Sequence, residues 1–122
     1  MVAALFDTNI LIDYLRGVSA ARDELERYSD KSISIITWME VMAGVPESAE
    51  PATRAFLKGF NVIQLDAEIA AHAVKIRQTH RVKLPDAVIW ATAEIEKLLL
   101  VTRNTKDFPE NWPGVRMPYK LS

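Results

Sequence analysis

The chain of 122 residues sets 15 Lys and Arg against 16 Asp and Glu, for a net charge of −1, with 49% hydrophobic and 25% charged residues. This is the composition of one globular domain, 1–122, and it excludes holding a polyanion by bulk positive charge. The absence of cysteine excludes disulfides and thiolate metal sites and accords with a reducing, cytoplasmic setting.

The start, Met1 to Asp7, lacks the basic region of a signal peptide and reaches a charge at Asp7. No apolar run approaches the roughly 18 residues of a membrane span, so no membrane contact is expected. Short apolar runs alternate with amphipathic stretches, the pattern of βαβ units and a parallel sheet. Val2 to Phe6 predicts a buried strand. Asp7-Thr8-Asn9 then starts a helix carrying Ile10, Leu11, Tyr14 and Leu15, which Gly17 ends. Ser19 caps a second helix running to about Tyr28.

Ser32 to Ile36 predicts the second strand, followed by Thr37 and a short helix closed by Gly44. After the punctuation from Pro46 to Pro51 comes a helix to about Lys58, then a strand over Val62 to Leu65. Asp66 caps a long helix towards His80. Arg81 to Leu84 forms a loop, and Pro85 suits the first turn of the next helix. That helix, to about Lys97, is apolar on most sides and should be buried, Trp90 included. Leu98 to Val101 is the fourth strand. The proline-bearing tail is mostly irregular, with a short edge strand near Val115.

Ligands of an open parallel sheet bind beyond the carboxyl ends of its strands. Asp7 follows strand one directly, Glu40 follows strand two, and Asp107 follows strand four. Asp86 opens the helix before strand four, so it reaches the same edge. Two carboxylates ~4 Å apart repel by about 4 kcal/mol at an effective dielectric near 20. Four therefore need protonation or a hard divalent cation such as Mg²⁺ or Mn²⁺, which can activate water for attack at phosphorus.

Each acid also has a plainer role open to it. Asp7 suits a helix N-cap, and Glu40 completes a capping box with Thr37. Asp86 complements a helix dipole, and Asp107 suits a solvated turn. Their common placement is what points to chemistry.

Four segments in order resemble the PIN-domain ribonucleases, specifically the toxin of a VapBC-type toxin–antitoxin pair. They are Phe6-Asp7-Thr8-Asn9-Ile10-Leu11-Ile12, the stretch Ile36-Thr37-Trp38-Met39-Glu40 through Gly44, Leu84-Pro85-Asp86-Ala87 through Ala93, and Leu100-Val101-Thr102-Arg103-Asn104-Thr105-Lys106-Asp107-Phe108. The resemblance implies a three-layer α/β/α fold with a parallel sheet of four to five strands. It also implies Mg²⁺- or Mn²⁺-dependent cleavage of RNA, a homodimer, and inhibition by a cognate antitoxin. By position, Asp7, Glu40 and Asp86 would be the principal metal acids, with Asp107 completing the set. Asn9, Thr37, Thr102 and Asn104 would orient carboxylates or phosphate. Many members have a glycine in the loop before the third acid, where this chain has Arg81-Val82-Lys83-Leu84.

In such a fold Arg81, Lys83, Arg103 and Lys106 border the acidic edge, placed to contact RNA phosphates or to act as ordinary surface charge. Trp38 and Met39 belong to the core or to an apolar groove for an antitoxin helix. His72 and His80 lack partner motifs and are expected to be structural. A phospho-acceptor receiver module lacks its acidic pair here, and a two-aspartate phosphatase fails because Asn9 stands where its second acid belongs. The non-enzymatic alternative is a PIN-like module that only binds RNA or protein, against which the presence of all four acids counts.

Overall fold

The computed structural model describes residues 3–109 and 111–121; Val2, expected in the first strand, lies outside them. The elements run β1 (Ala4–Phe6), α1 (Thr8–Leu15), α2 (Ser19–Glu26), β2 (Lys31–Ser34) and α3 (Ile35–Ala43). A 3₁₀ turn at Glu47–Ala49 leads into α4 (Glu50–Leu57), β3 (Asn61–Ile63), α5 (Ala67–His80), α6 (Leu84–Glu96), β4 (Leu99–Val101) and β5 (Val115–Arg116). The strands pair in parallel in the order β3-β2-β1-β4-β5.

A parallel sheet is covered on both faces, so alternate side chains of one strand enter different cores. Ala4, Phe6 and Val101 pack with Ile10 and Leu11 of α1, Leu25 of α2 and Leu57 of α4. Leu5 and Leu100 point the other way, against α5 and α6. The result is the expected three-layer α/β/α arrangement. In α6, every residue from Ala87 to Ala93 is buried, because that helix lies between the sheet and α5. Each large apolar side chain buried there contributes roughly 1.5–3 kcal/mol. Trp90 is enclosed edge-on by Phe108 and Trp112. No helix among the described residues is long and apolar enough to cross a membrane.

Several expectations hold in detail. Asp66 caps α5, its carboxylate accepting the Ile69 N–H at 2.8 Å. The short strand at Val115 pairs with β4.

The start of α3 differs. The β-branched pair Ile35-Ile36 extends the strand pattern, yet β2 ends at Ser34, whose hydroxyl accepts the Ile36 N–H at 3.0 Å. Ser34 is thus the cap, and Thr37 lies inside the helix with no start to cap. The Thr37–Glu40 capping box does not form.

Candidate active site

The chain leaves β1 to build β2 and β3 on one side and returns to place β4 on the other. The crevice beyond β1 and β4 is therefore the switch point of the sheet. Asp7 stands at its floor, its N–H donating to the Val101 carbonyl at 2.9 Å. It caps α1, Oδ1 accepting the Thr8 N–H at 2.8 Å, while Oδ2 accepts Asn9 Nδ2 at 3.0 Å and the Thr102 hydroxyl at 2.7 Å. One carboxylate thus both caps α1 and ties it to the end of β4. The residue is 3% exposed, and loss of water raises its pKa above the usual carboxylate range. Bonds from Thr102, Thr8 and Asn9 pull the pKa back, while the charge of Glu40 adds to the rise.

Glu40 projects from α3 and is exposed. The Thr8 hydroxyl donates to its Oε1 at 2.6 Å and lies 3.0 Å from the buried Thr37 hydroxyl. Asp86, in the first turn of α6, is half-buried. Its pKa is pushed up to about 6, first by burial and then by the charges of Asp7, Asp107 and Glu40. A hydrogen bond with Asp107 further favours its protonated form. Asp107 is held by Asn104, which donates from Nδ2 to its Oδ2 at 2.9 Å and accepts its N–H at 3.3 Å.

Asp7, Glu40 and Asp107 therefore all act electrostatically on Asp86, and Glu40 on Asp7 as well. Among the described residues, however, no three acidic or histidine side chains are drawn in tightly enough to grip an ion outright. Like charges spread, and local donors already engage Asp7 and Glu40. A hard divalent cation that keeps several of its waters needs only one or two direct carboxylates. An all-oxygen donor set of this kind fits such an ion.

Asn9, Thr37, Thr102 and Asn104 all reach the crevice, and each contacts a carboxylate or one of its partners. Arg81, Lys83 and Lys106 are exposed. The Arg103 guanidinium, expected to border the acidic edge, forks on the buried carboxylate of Asp13. Thr8 and Asp13 were not singled out from the sequence. The available signal for Asp13 was a lone charge in an apolar helical run, one turn beyond Asn9.

Trp38 is half-buried with the Arg54 guanidinium 5.4 Å above its ring, and Met39 is exposed. Neither lines the apolar groove between α1, α3 and α4. Its walls are Ile12, Leu15, Val41, Val45 and Pro46, and Glu40 lies at its rim. His72 meets Glu94 at 2.7 Å, and His80 packs on Trp90 and Trp112.

Known proteins are similar to this chain along most of its length. A family model described as PIN domain matches residues 4–111. Ribonuclease VapC10 of Mycobacterium tuberculosis is 34% identical over 113 residues, covering 86% of this chain and 85% of that protein. A toxin–antitoxin complex from Klebsiella pneumoniae contains a chain 49% identical, with a TM-score of 0.92, covering 98% of this chain and 100% of that one. DNA-bound VapBC from Salmonella typhimurium is similar at 27% identity and a TM-score of 0.78, covering 95% and 96% of the two chains.

Proposed function

The chain belongs to the PIN-domain family, among the VapC ribonucleases, and on that premise we propose that its acidic crevice is where RNA is cut. The protein is a ribonuclease, the toxin of a toxin–antitoxin pair. The observation that carries the site assignment is Asp86, a carboxyl raised to about 6 by burial and by three neighbouring acids. A carboxyl whose proton affinity is raised by the charges beside it is relieved by a cation.

PIN-domain ribonucleases are in general divalent-metal dependent, and here the ion proposed is Mg²⁺ or Mn²⁺, in keeping with oxygen ligands alone. Asp7 and Asp86 would hold it, with Glu40 and Asp107 completing the set directly or through water. When bound, such an ion supplies Lewis acidity and a water activated for in-line attack on phosphorus. Thr102 and Asn9 hold Asp7 Oδ2 in place, and Thr8 holds Glu40. Arg81, Lys83 and Lys106 would meet the phosphates flanking the scissile bond.

The partner is an antitoxin protein. An amphipathic antitoxin segment would lie in the groove of Ile12, Leu15, Val41 and Val45, which ends beside Glu40 and so would block the crevice. Residues 1–122 would work as one domain in the cytoplasm. They would form a homodimer, with exposed Leu65 and Val74 as apolar surface for pairing to cover.

The test is cleavage of an RNA pool with Mg²⁺ or Mn²⁺ by wild type and by Asp7→Asn, which keeps a good N-cap. Wild type should cleave and the variant should not. Equal cleavage by both, or none by wild type with either ion, overturns the assignment.

A further inference from the structure

Asp13 is a charge within the apolar stretch of α1 and is 2% exposed. It is fully partnered. Arg103 Nε and Nη2 donate to its two oxygens, the second at 3.0 Å, and the Tyr119 hydroxyl donates at 2.7 Å. An ion pair with its carboxylate buried contributes little net stability against a well-packed apolar alternative. Its contribution here is geometric.

Arg103 is the second residue of the turn that leaves β4. Its backbone N–H donates to Asn9 Oδ1 at 3.2 Å, and the next N–H, of Asn104, donates to the Thr102 hydroxyl at 2.9 Å. The Asn104 side chain then brackets Asp107 from both sides. At the far end Phe108 is fully buried, packed edge-on against Trp90. The turn is therefore anchored by Arg103 at one end and by Phe108 at the other, with Asp107 between them. Asn9 and Asp13 stand one turn apart on α1, so one helix face holds both Asp7 and the turn.

We propose that Asp13, Arg103 and Tyr119 are positioning residues for Asp107, holding the start of the turn in the register from which Asn104 presents that carboxylate to Asp86. This rests on the assignment of the four acids as the ion site. The guanidinium spans both oxygens of Asp13 in a planar fork, which a lysine ammonium cannot reproduce. A lysine would keep the charge but release the register of the turn.

The experiment is calorimetric titration of Mn²⁺, without RNA, into the metal-free wild type, Asp107→Asn, Arg103→Lys and the double variant. Melting curves establish that each is folded at the assay temperature. RNA affinity is measured in parallel in the presence of a chelator. Each single variant should bind Mn²⁺ about 10- to 100-fold more weakly, and the double variant no more weakly than the worse single one. RNA affinity without metal should be unchanged in Arg103→Lys.

If Asp107→Asn weakens Mn²⁺ binding while Arg103→Lys does not, or the two losses add, the positioning role is wrong and the ion site stands. A loss of metal-free RNA affinity in Arg103→Lys, with Mn²⁺ binding intact, would make Arg103 a phosphate contact instead. If Asp107→Asn binds Mn²⁺ and cleaves as wild type does, Asp107 leaves the site and the inference falls with it. Should Arg103→Lys not fold, Tyr119→Phe removes one donor from Asp13 and enters the same comparison.

Discussion

Thr102 donates its hydroxyl to Asp7 Oδ2 across 2.7 Å, joining the carboxyl ends of the two strands between which the sheet changes direction. The same hydroxyl accepts the Asn104 N–H, so a single buried oxygen links the first acid to the turn bearing the last. Thr102→Val keeps the volume and removes both bonds. Because the Thr102 bond lowers the pKa of Asp7, its loss moves that pKa further up. Binding of Mn²⁺ requires the ionised carboxylate, so the pH of half-saturation should rise. Cleavage at neutral pH should fall about 10- to 100-fold. Mn²⁺ titrations across the acid-to-neutral range check this, and an unmoved midpoint would contradict it.

Glu40 and Ser34 separate chemistry from helix stability. Ser34 caps α3, whereas Glu40 is engaged with Thr8 on another helix. Ser34→Ala should cost about 1 kcal/mol in equilibrium denaturation. Glu40→Gln should leave stability within roughly 0.5 kcal/mol and abolish cleavage. A large destabilisation by Glu40→Gln would restore the capping role that the sequence suggests.

The contrast shows where sequence was legible. Asp7, Glu40, Asp86 and Asp107 follow or precede elements whose polarity patterns are local, so strand ends and helix starts placed them on one edge. Asp66 was readable as a cap for the same reason. The limit of β2 was not, because Ile35-Ile36 satisfies a strand pattern as well as a buried helical turn, and only the Ser34 hydroxyl decides. The pairing of Arg103 was not legible because Asp13, and the Tyr119 that shares it, lie far away in the chain and are brought together by the turn after β4 and the return of the tail. Charge near an acidic edge does not reveal which carboxylate has already claimed it.

Asp86 gives the metal-free protein a stability that depends on pH. Its carboxyl titrates at about 6 in the fold against an ordinary value of 3.8, so the fold favours the protonated form. That contribution is fully present below the ordinary value and is lost as pH rises through about 6. Above this, Asp86→Asn should be more stable than wild type, by on the order of 1 kcal/mol once solvent screening at a half-exposed site is discounted. Mn²⁺ should reverse the order, raising the melting temperature of wild type near neutrality with little effect at acid pH. Melting scans with and without the ion test both halves. A variant no more stable than metal-free wild type at neutral pH would show that the acids do not strain the fold.

Arg81 ends α5 with φ 58°, a left-handed conformation that favours glycine. It is held there because its N–H donates to the Arg77 carbonyl at 3.1 Å while Arg77 Nη1 donates to the Val82 carbonyl at 2.7 Å. This accounts for a loop without glycine in front of Asp86: the backbone adopts a glycine-like turn, and a neighbouring guanidinium supports it. For a non-glycine residue the conformation costs about 1–2 kcal/mol, and glycine's freedom in the unfolded chain offsets roughly 0.4–1 kcal/mol of the relief. Arg81→Gly should therefore be neutral to stabilising by up to about 1.5 kcal/mol, while a β-branched Arg81→Val should be clearly destabilising. The same glycine removes a cation from the proposed phosphate path, so RNA affinity should weaken as stability holds or rises. Denaturation curves and metal-free RNA binding on one preparation read both effects. Equal stability of the valine and glycine variants would mean that the turn is not left-handed, and unchanged RNA binding would remove Arg81 from the path.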